Sequence, residues 1–192
     1  MSFIKCKIEG SRPLLMHADV FADPLNELTK RHKLLTAKRK KTDEDHIEIA
    51  KSEWRSSLYL SGDNVVIIPT TIIEASLIGA AKLSKLGTLF KRSVEVVGLE
   101  IPLIYNGPKD IDGLWDKKFY DARSVKVGAA KIMRYRPRFN EWSLEFIIQF
   151  DEKNIDVHDV KKALIEAGTQ IGICDYRPKF GRFDVVYADE VE

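Results

Sequence analysis

Thirteen residues near the end of the chain, Gly172 to Asp184 ("GICDYRPKFGRFD"), combine two glycines, a proline, three aromatic rings and three cations. Arg177, Lys179 and Arg182 can neutralise phosphates, while Tyr176 and Phe180 offer faces on which unstacked bases can rest. Gly168, Gly172 and Gly181 bracket the segment and allow a close backbone approach or a positive φ. The plainer reading of the same residues is a helix end followed by a surface turn with solvated cations.

A second segment repeats this chemistry. "KIMRYRPRFNEW" holds Lys131, Arg134, Arg136 and Arg138 with Tyr135 and Phe139. On an extended arm Arg134, Arg136 and Arg138 share one face, where like charges repel unless an anion or solvent screens them. Phosphates need cations and unpaired bases need ring faces, so alternating arginine and aromatic residues suits a single strand of nucleic acid. The competing role is a hairpin kept soluble by its charge. A third run, "TKRHKLLTAKRKK", includes Lys38, Arg39 and Lys40 and could track a phosphate backbone. The acidic "TDEDHIEIAKSE" follows it at once, so a solvated helical face explains it equally well.

Signals for catalysis are thin. His17 sits in "LLMHADVFADP" near Asp19 and Asp23, where a histidine could act as general acid or base in RNA cleavage through the ribose 2′-OH. A hydrogen bond that holds the loop's shape is the favoured role for it. The chain has no GxSxG, P-loop or HExxH pattern. Cys6 and Cys174 have no CxxC spacing or partnering histidine pair, so no metal and no cofactor is expected.

Composition bounds the remainder. With 44% hydrophobic and 31% charged residues among 192, the sequence describes a soluble globular protein rather than a disordered one. A net charge of +2 does not announce a nucleic-acid binder by itself; only clustering does. Two thiols without an evident partner suit a reducing cytoplasm, and "SFIKCKIEG" after Met1 lacks the apolar core of a signal peptide.

The elements that must position these residues follow from periodicity. "SFIKCKIE" alternates as a half-buried strand, and a long loop follows it. Residues 24–41 read as a helix with Pro24 in its first turn, and Thr42 with Asp45 caps a second helix through Trp54. This polar pair, residues 22–57, is expected as an insertion on the domain surface. "SGDN" is a hairpin turn. "TTIIEASLIGAAKLSKLG" is a helix capped by Thr70 or Thr71 and stopped by Gly87. "VEVVGLEIPLIY" reads as one strand, followed by a loop through "NGPKDIDGLWDKKFYDAR". "SVKVGAAKIMRYRP" and "EWSLEFIIQF" read as the two arms of a long hairpin, with Trp142, Leu144, Phe146, Ile148 and Phe150 on one face. Asp156 caps a helix in "DVHDVKKALIEAG", and "RFDVVYA" closes the chain. The order, stripped of additions, is βαββαβ, which predicts an α+β, ferredoxin-like antiparallel sheet with both helices on one face.

Two of these stretches resemble the RAMP superfamily, the ferredoxin-fold RNA-binding proteins of CRISPR systems. One is "VVIIPTTIIEASLIGAAKLSK", where Ile68, Pro69, Thr71 and Ala75 fit the family's strand-to-helix entry and Lys82 or Lys85 its basic slot. The other is the basic, glycine-containing segment ending "FGRF" before the last strand, which in that family contacts RNA backbone. In "RPLLMHADVFADPLN", "KRKKTDED" and "YRPKFGRF" the chain is also similar to proteins of tailed bacteriophages.

Residues and resemblance together give one expectation: a single domain, 1–192, that binds single-stranded DNA or RNA without cutting it, inside an infected bacterium. Sequence-tolerant contacts would come from the three basic segments, and the resemblance implies that copies could assemble along the strand. Two alternatives stand beside it: a metal-independent endoribonuclease using His17, and a phage factor that targets a host protein complex.

Overall fold

A computed structural model describes residues 1–191, apart from the side chain of Val127. The chain is an α+β protein built on antiparallel sheets. Its elements begin with β1 (Ser2–Gly10), β2 (Leu14–Leu15), α1 (Glu27–Ala37) and α2 (Asp43–Ser56). Then come β3 (Ile67–Pro69), α3 (Thr70–Ala81), α4 (Gly87–Ser93), β4 (Val94–Val96), β5 (Glu100–Pro102) and α5 (Ile111–Asp116). The last are β6 (Tyr120–Val127), β7 (Ala130–Phe139), β8 (Ser143–Phe150), α6 (Val157–Glu166) and β9 (Phe183–Val191).

The main sheet runs in the order β4-β8-β1-β9, with every neighbour antiparallel. Alternation explains its two faces. Ile4, Cys6 and Ile8 pair with Ile148, Phe146 and Leu144, and all six side chains are buried. The same core takes in Ile73, Leu77 and Ala80 of α3 with Val160, Ala163 and Leu164 of α6. The opposite face carries Phe3, Lys5, Lys7, Glu145 and Ile147, and Lys7 is held between Glu9 and Glu145 at 3.5 and 4.0 Å. Asp189 lies opposite Lys5 in the register. That balanced charge makes the open face a poor partner for phosphates.

One part of the same core is organised around aromatic rings. The three-stranded sheet β2-β7-β6 packs against α2 and α5 through Trp54, Trp115, Tyr120 and Tyr135. Trp54 is fully buried and its Nε1 donates to the Phe119 carbonyl at 2.9 Å. The helical pair is therefore more than a surface addition: α2 supplies part of this core. Its capping box forms as the sequence indicates, the Thr42 hydroxyl accepting from Asp45 N and the Asp45 carboxylate accepting from Thr42 N. The first helix starts later than Pro24 suggests, because the Asn26 side chain accepts from Leu28 N and fixes the entry there.

Other boundaries differ too. The expected hairpin between "SVKVGAAKIMRYRP" and "EWSLEFIIQF" does not form. Gly128, at φ +59°, turns the chain back within the first of these segments, so β6 pairs with β7 from Tyr120↔Pro137 to Val127↔Ala130. Strand β8 is then free to sit between β1 and β4. "VEVVGLEIP" is likewise two strands split at Gly98, one in the main sheet and one paired with β3. Neither threonine caps α3. Pro69 holds that position, while Thr70 donates its hydroxyl to the Gly98 carbonyl at 3.2 Å. Gly87 begins α4 instead of ending α3.

Candidate nucleic-acid interface

The glycine-bracketed loop is built by backbone conformations that side chains resist. A π-helical turn over Ala167–Ile171 ends at Gly172, φ +76°, whose carbonyl accepts from Ser76 Oγ at 2.9 Å. Gly181, φ +70°, closes the loop by accepting from Ile173 N at 2.9 Å. Its missing Cβ is required, since a methyl group there would be driven into the Ile173 carbonyl. Two further bonds tie the loop to the chain that follows β1: Asp175 N to the Leu15 carbonyl and Gly181 N to the Pro13 carbonyl, both 2.9 Å. On its other edge β2 pairs with β7, Leu14 opposite Phe139 and Leu15 opposite Arg138. The two arginine–aromatic segments thus flank one short strand.

Side chains join them directly. Arg136 Nε lies 3.0 Å from Asp175 Oδ2. The Arg123 guanidinium, reaching across from β6, sits 5.3 Å from the centre of the Tyr176 ring and 5.0 Å from that of Phe180. The rings themselves meet edge to face at 5.8 Å. Arg123 lies in a segment that reads partly as loop, and no sequence signal marks it as the residue bridging the two clusters.

Carboxylates resolve the repulsion expected along β7. Arg134 pairs with Glu53 of α2, Arg136 with Asp175, and Arg138 with Asp121 at 3.8 Å. Asp121 also holds Arg123, which donates from Nη2 at 2.6 Å. Glu53 is buried and has two partners: its other oxygen accepts from Tyr135 N at 3.2 Å, closing the edge of β7 beyond the end of β2. These arginines are therefore positioned by internal partners and are not bare charges.

Two predicted stacking residues are corrected by burial. Phe139 is fully buried against Tyr105 and Phe119 and belongs to the core. Phe180 is 7% exposed and lies under Arg123, so it supports the loop from inside. Tyr135 is half-buried beside Trp115 and Tyr120. Tyr176 alone of the four is exposed, at 48%. In the same loop Arg177 and Lys179 are exposed and Arg182 is half-buried, while at the end of the β6–β7 ribbon exposed Lys126 lies opposite exposed Lys131. No carboxylate occurs between Ala122 and Asn140, so this part of the ribbon carries no acid of its own.

No protein-family model and no curated protein matches the chain. A solved structure does: a chain in the cryo-EM structure of the type III-B Cmr-beta bound to cognate target RNA superposes with a TM-score of 0.60 at 10% identity. The match covers 100% of this chain and 61% of that one. The likeness is one of fold.

The remaining candidates lie elsewhere. Lys38 is paired with Asp45, while Arg39 and Lys40 stand exposed between α1 and α2. His17 is exposed at the rim of a cleft of about 240 Å³ that also contains Tyr59, Thr71, Ala75, Asp175 and Arg177. Its Nδ1 lies 3.5 Å from Ser57 Oγ, and Tyr59 Oη donates to its carbonyl at 3.2 Å. The entry of α3, through Thr71 and Ala75, and the glycine loop share this cleft. Burial pushes the Tyr59 hydroxyl up to about 12, which keeps it protonated. Among the described residues no group of three histidine, cysteine, aspartate or glutamate side chains is placed to hold a metal ion.

Proposed function

We propose that this chain binds single-stranded nucleic acid without cleaving it, on the surface where the β6–β7 ribbon meets the 172–182 loop. The observation that carries the reading is the seating of Arg123 against Tyr176 and Phe180, which fuses two distant cationic segments into one surface. Tyr176 supplies a ring for one base, while Arg177, Lys179, Arg182, Lys126 and Lys131 lie within the same region to neutralise phosphates. Arg134, Arg136 and Arg138 contribute through positioned but partly neutralised charge. Neither stacking nor phosphate pairing reads base identity, so binding on this surface is sequence-tolerant.

The fold supports the same reading. Taking β1, α3, β4, β8, α6 and β9 in turn, the sheet order β9-β1-β8-β4 is last, first, third, second, which agrees with a ferredoxin-like βαββαβ unit of RAMP type. The structure it resembles is of a complex bound to target RNA, and that shared architecture agrees with a nucleic-acid partner here. Fluorescence-anisotropy titration with single-stranded RNA, single-stranded DNA and duplex across a salt series tests the proposal. Retention of single strands with a steep salt dependence is expected; failure to retain any strand at low salt overturns it.

One observation favours a second reading: His17 shares its cleft with Arg177 and Tyr59. If the chain cuts RNA, labelled RNA incubated in EDTA gives products that disappear on His17→Ala.

A further inference from the structure

Arg138 faces two ways. It belongs to the arginine row of β7, and it also lines a cleft of about 350 Å³ with Lys117, Lys118, Asn106, Asn140 and Glu141. Its Nε donates to Asn140 Oδ1 at 2.9 Å, which orients that amide; among the described residues its NH₂ group has no side-chain or backbone partner. Lys117, Lys118 and Glu141 make no ion pair among the described residues, although they line one cavity. Asn106 and Glu141 also border a second cleft beside Glu9, so they stand between the lysine-lined space and that cleft. A phosphate is attracted to the lysine side of this wall.

Resting on the binding reading above, we propose that this cleft takes a single unpaired guanine nucleotide of the bound strand. The phosphate lies against Lys117, Lys118 and Arg138, and the base edge meets the wall. Guanine presents two adjacent donors, N1–H and the N2 amino group, beside the acceptor O6. A carboxylate is acceptor-only and can take both donors, while an asparagine amide donates to O6. Adenine and cytosine each offer one amino donor beside a ring acceptor, which would face a carboxylate oxygen. Uracil offers one donor between two carbonyls. The Glu141 carboxylate with the Asn106 and Asn140 amides therefore selects guanine, and the otherwise sequence-tolerant surface acquires one reading position.

The experiment compares a labelled uridine dodecamer with the same strand carrying one central guanosine, using the full chain at fixed salt. The guanosine strand is expected to bind about ten-fold tighter, toward the low end of what one bidentate pairing discriminates. Glu141→Gln, which cannot accept from both donors, should bring the two strands to equal affinity. Equal affinity in the unaltered protein, a preference for another base at that position, or a guanosine preference that survives Glu141→Gln overturns the proposal. Retention of neither strand overturns the binding reading along with it.

Discussion

Asp175 Oδ2 stands 3.0 Å from Arg136 Nε, an ion pair outside hydrogen-bond alignment that sets the glycine loop against the middle of β7. The Arg136 side chain is only 14% exposed, so its charge depends on that carboxylate. Replacing Asp175 by Ala leaves a mostly buried guanidinium without its ion-pair partner, which costs about 2 kcal/mol. Chemical denaturation of Asp175→Ala should show this loss, and an unchanged midpoint would mean that the pair is dispensable.

Tyr176 and Phe139 separate binding from folding. Tyr176→Ala removes an exposed ring and should weaken single-strand binding about ten-fold, within the range for loss of one stacked base, with little change in melting temperature. Phe139→Ala empties a core position and should cost about 4 kcal/mol of stability. Anisotropy and thermal melts on both variants check the contrast.

Phosphate pairing shows in the salt dependence. Changing Arg177 and Lys179 to Ala should flatten the plot of log affinity against log salt by about 0.7 for each phosphate no longer neutralised, the increment for single strands. A parallel line with the same slope would place the phosphates elsewhere.

Gly181 has no substitute. Alanine there meets both a positive φ and the Ile173 carbonyl, so Gly181→Ala should destabilise the chain by more than about 1 kcal/mol. Amide exchange should show the loop losing protection before the main sheet does.

Two kinds of group give opposite pH dependences. Burial holds His32 below the ordinary histidine value, and the Glu53 carboxylate pulls the other way without reversing it. A depressed histidine favours the neutral form when folded, so its contribution is present above about pH 6.5 and is lost as pH falls. Burial pushes the Cys6 thiol up to about 12. That contribution is present below the ordinary thiol value of about 8.5 and is lost as pH rises above it. An NMR titration of the His32 ring should give a midpoint below the ordinary value, and Cys6 should resist alkylation near pH 8 until the protein unfolds.

Local signals carried much of the fold. The alternation in "SFIKCKIE" and "EWSLEFIIQF", the Thr42–Asp45 box and the Asp156 cap are all present where periodicity and capping chemistry placed them. What escaped was pairing over distance. Strand β8 prefers β1 and β4 to its chain neighbour, and a turn at Gly128 inside one apparent arm gave no strong turn pair to announce it. The site shows the same division. Residue types flagged the loop and β7, yet Glu53, Asp121 and Asp175, which neutralise the arginines, come from three separate parts of the chain. Phe139 and Phe180 look alike in sequence to an exposed ring, and only packing reveals them as interior.

Glu53 and Trp54 are consecutive, one closing the border of a strand and the other filling the hollow behind it. Excising the α1–α2 pair to make a smaller protein would therefore strip Arg134 of its counter-charge and open the aromatic body to water in the same cut. A shortened relative could keep its ribbon only by recruiting an acid and a large ring from some other part of its chain.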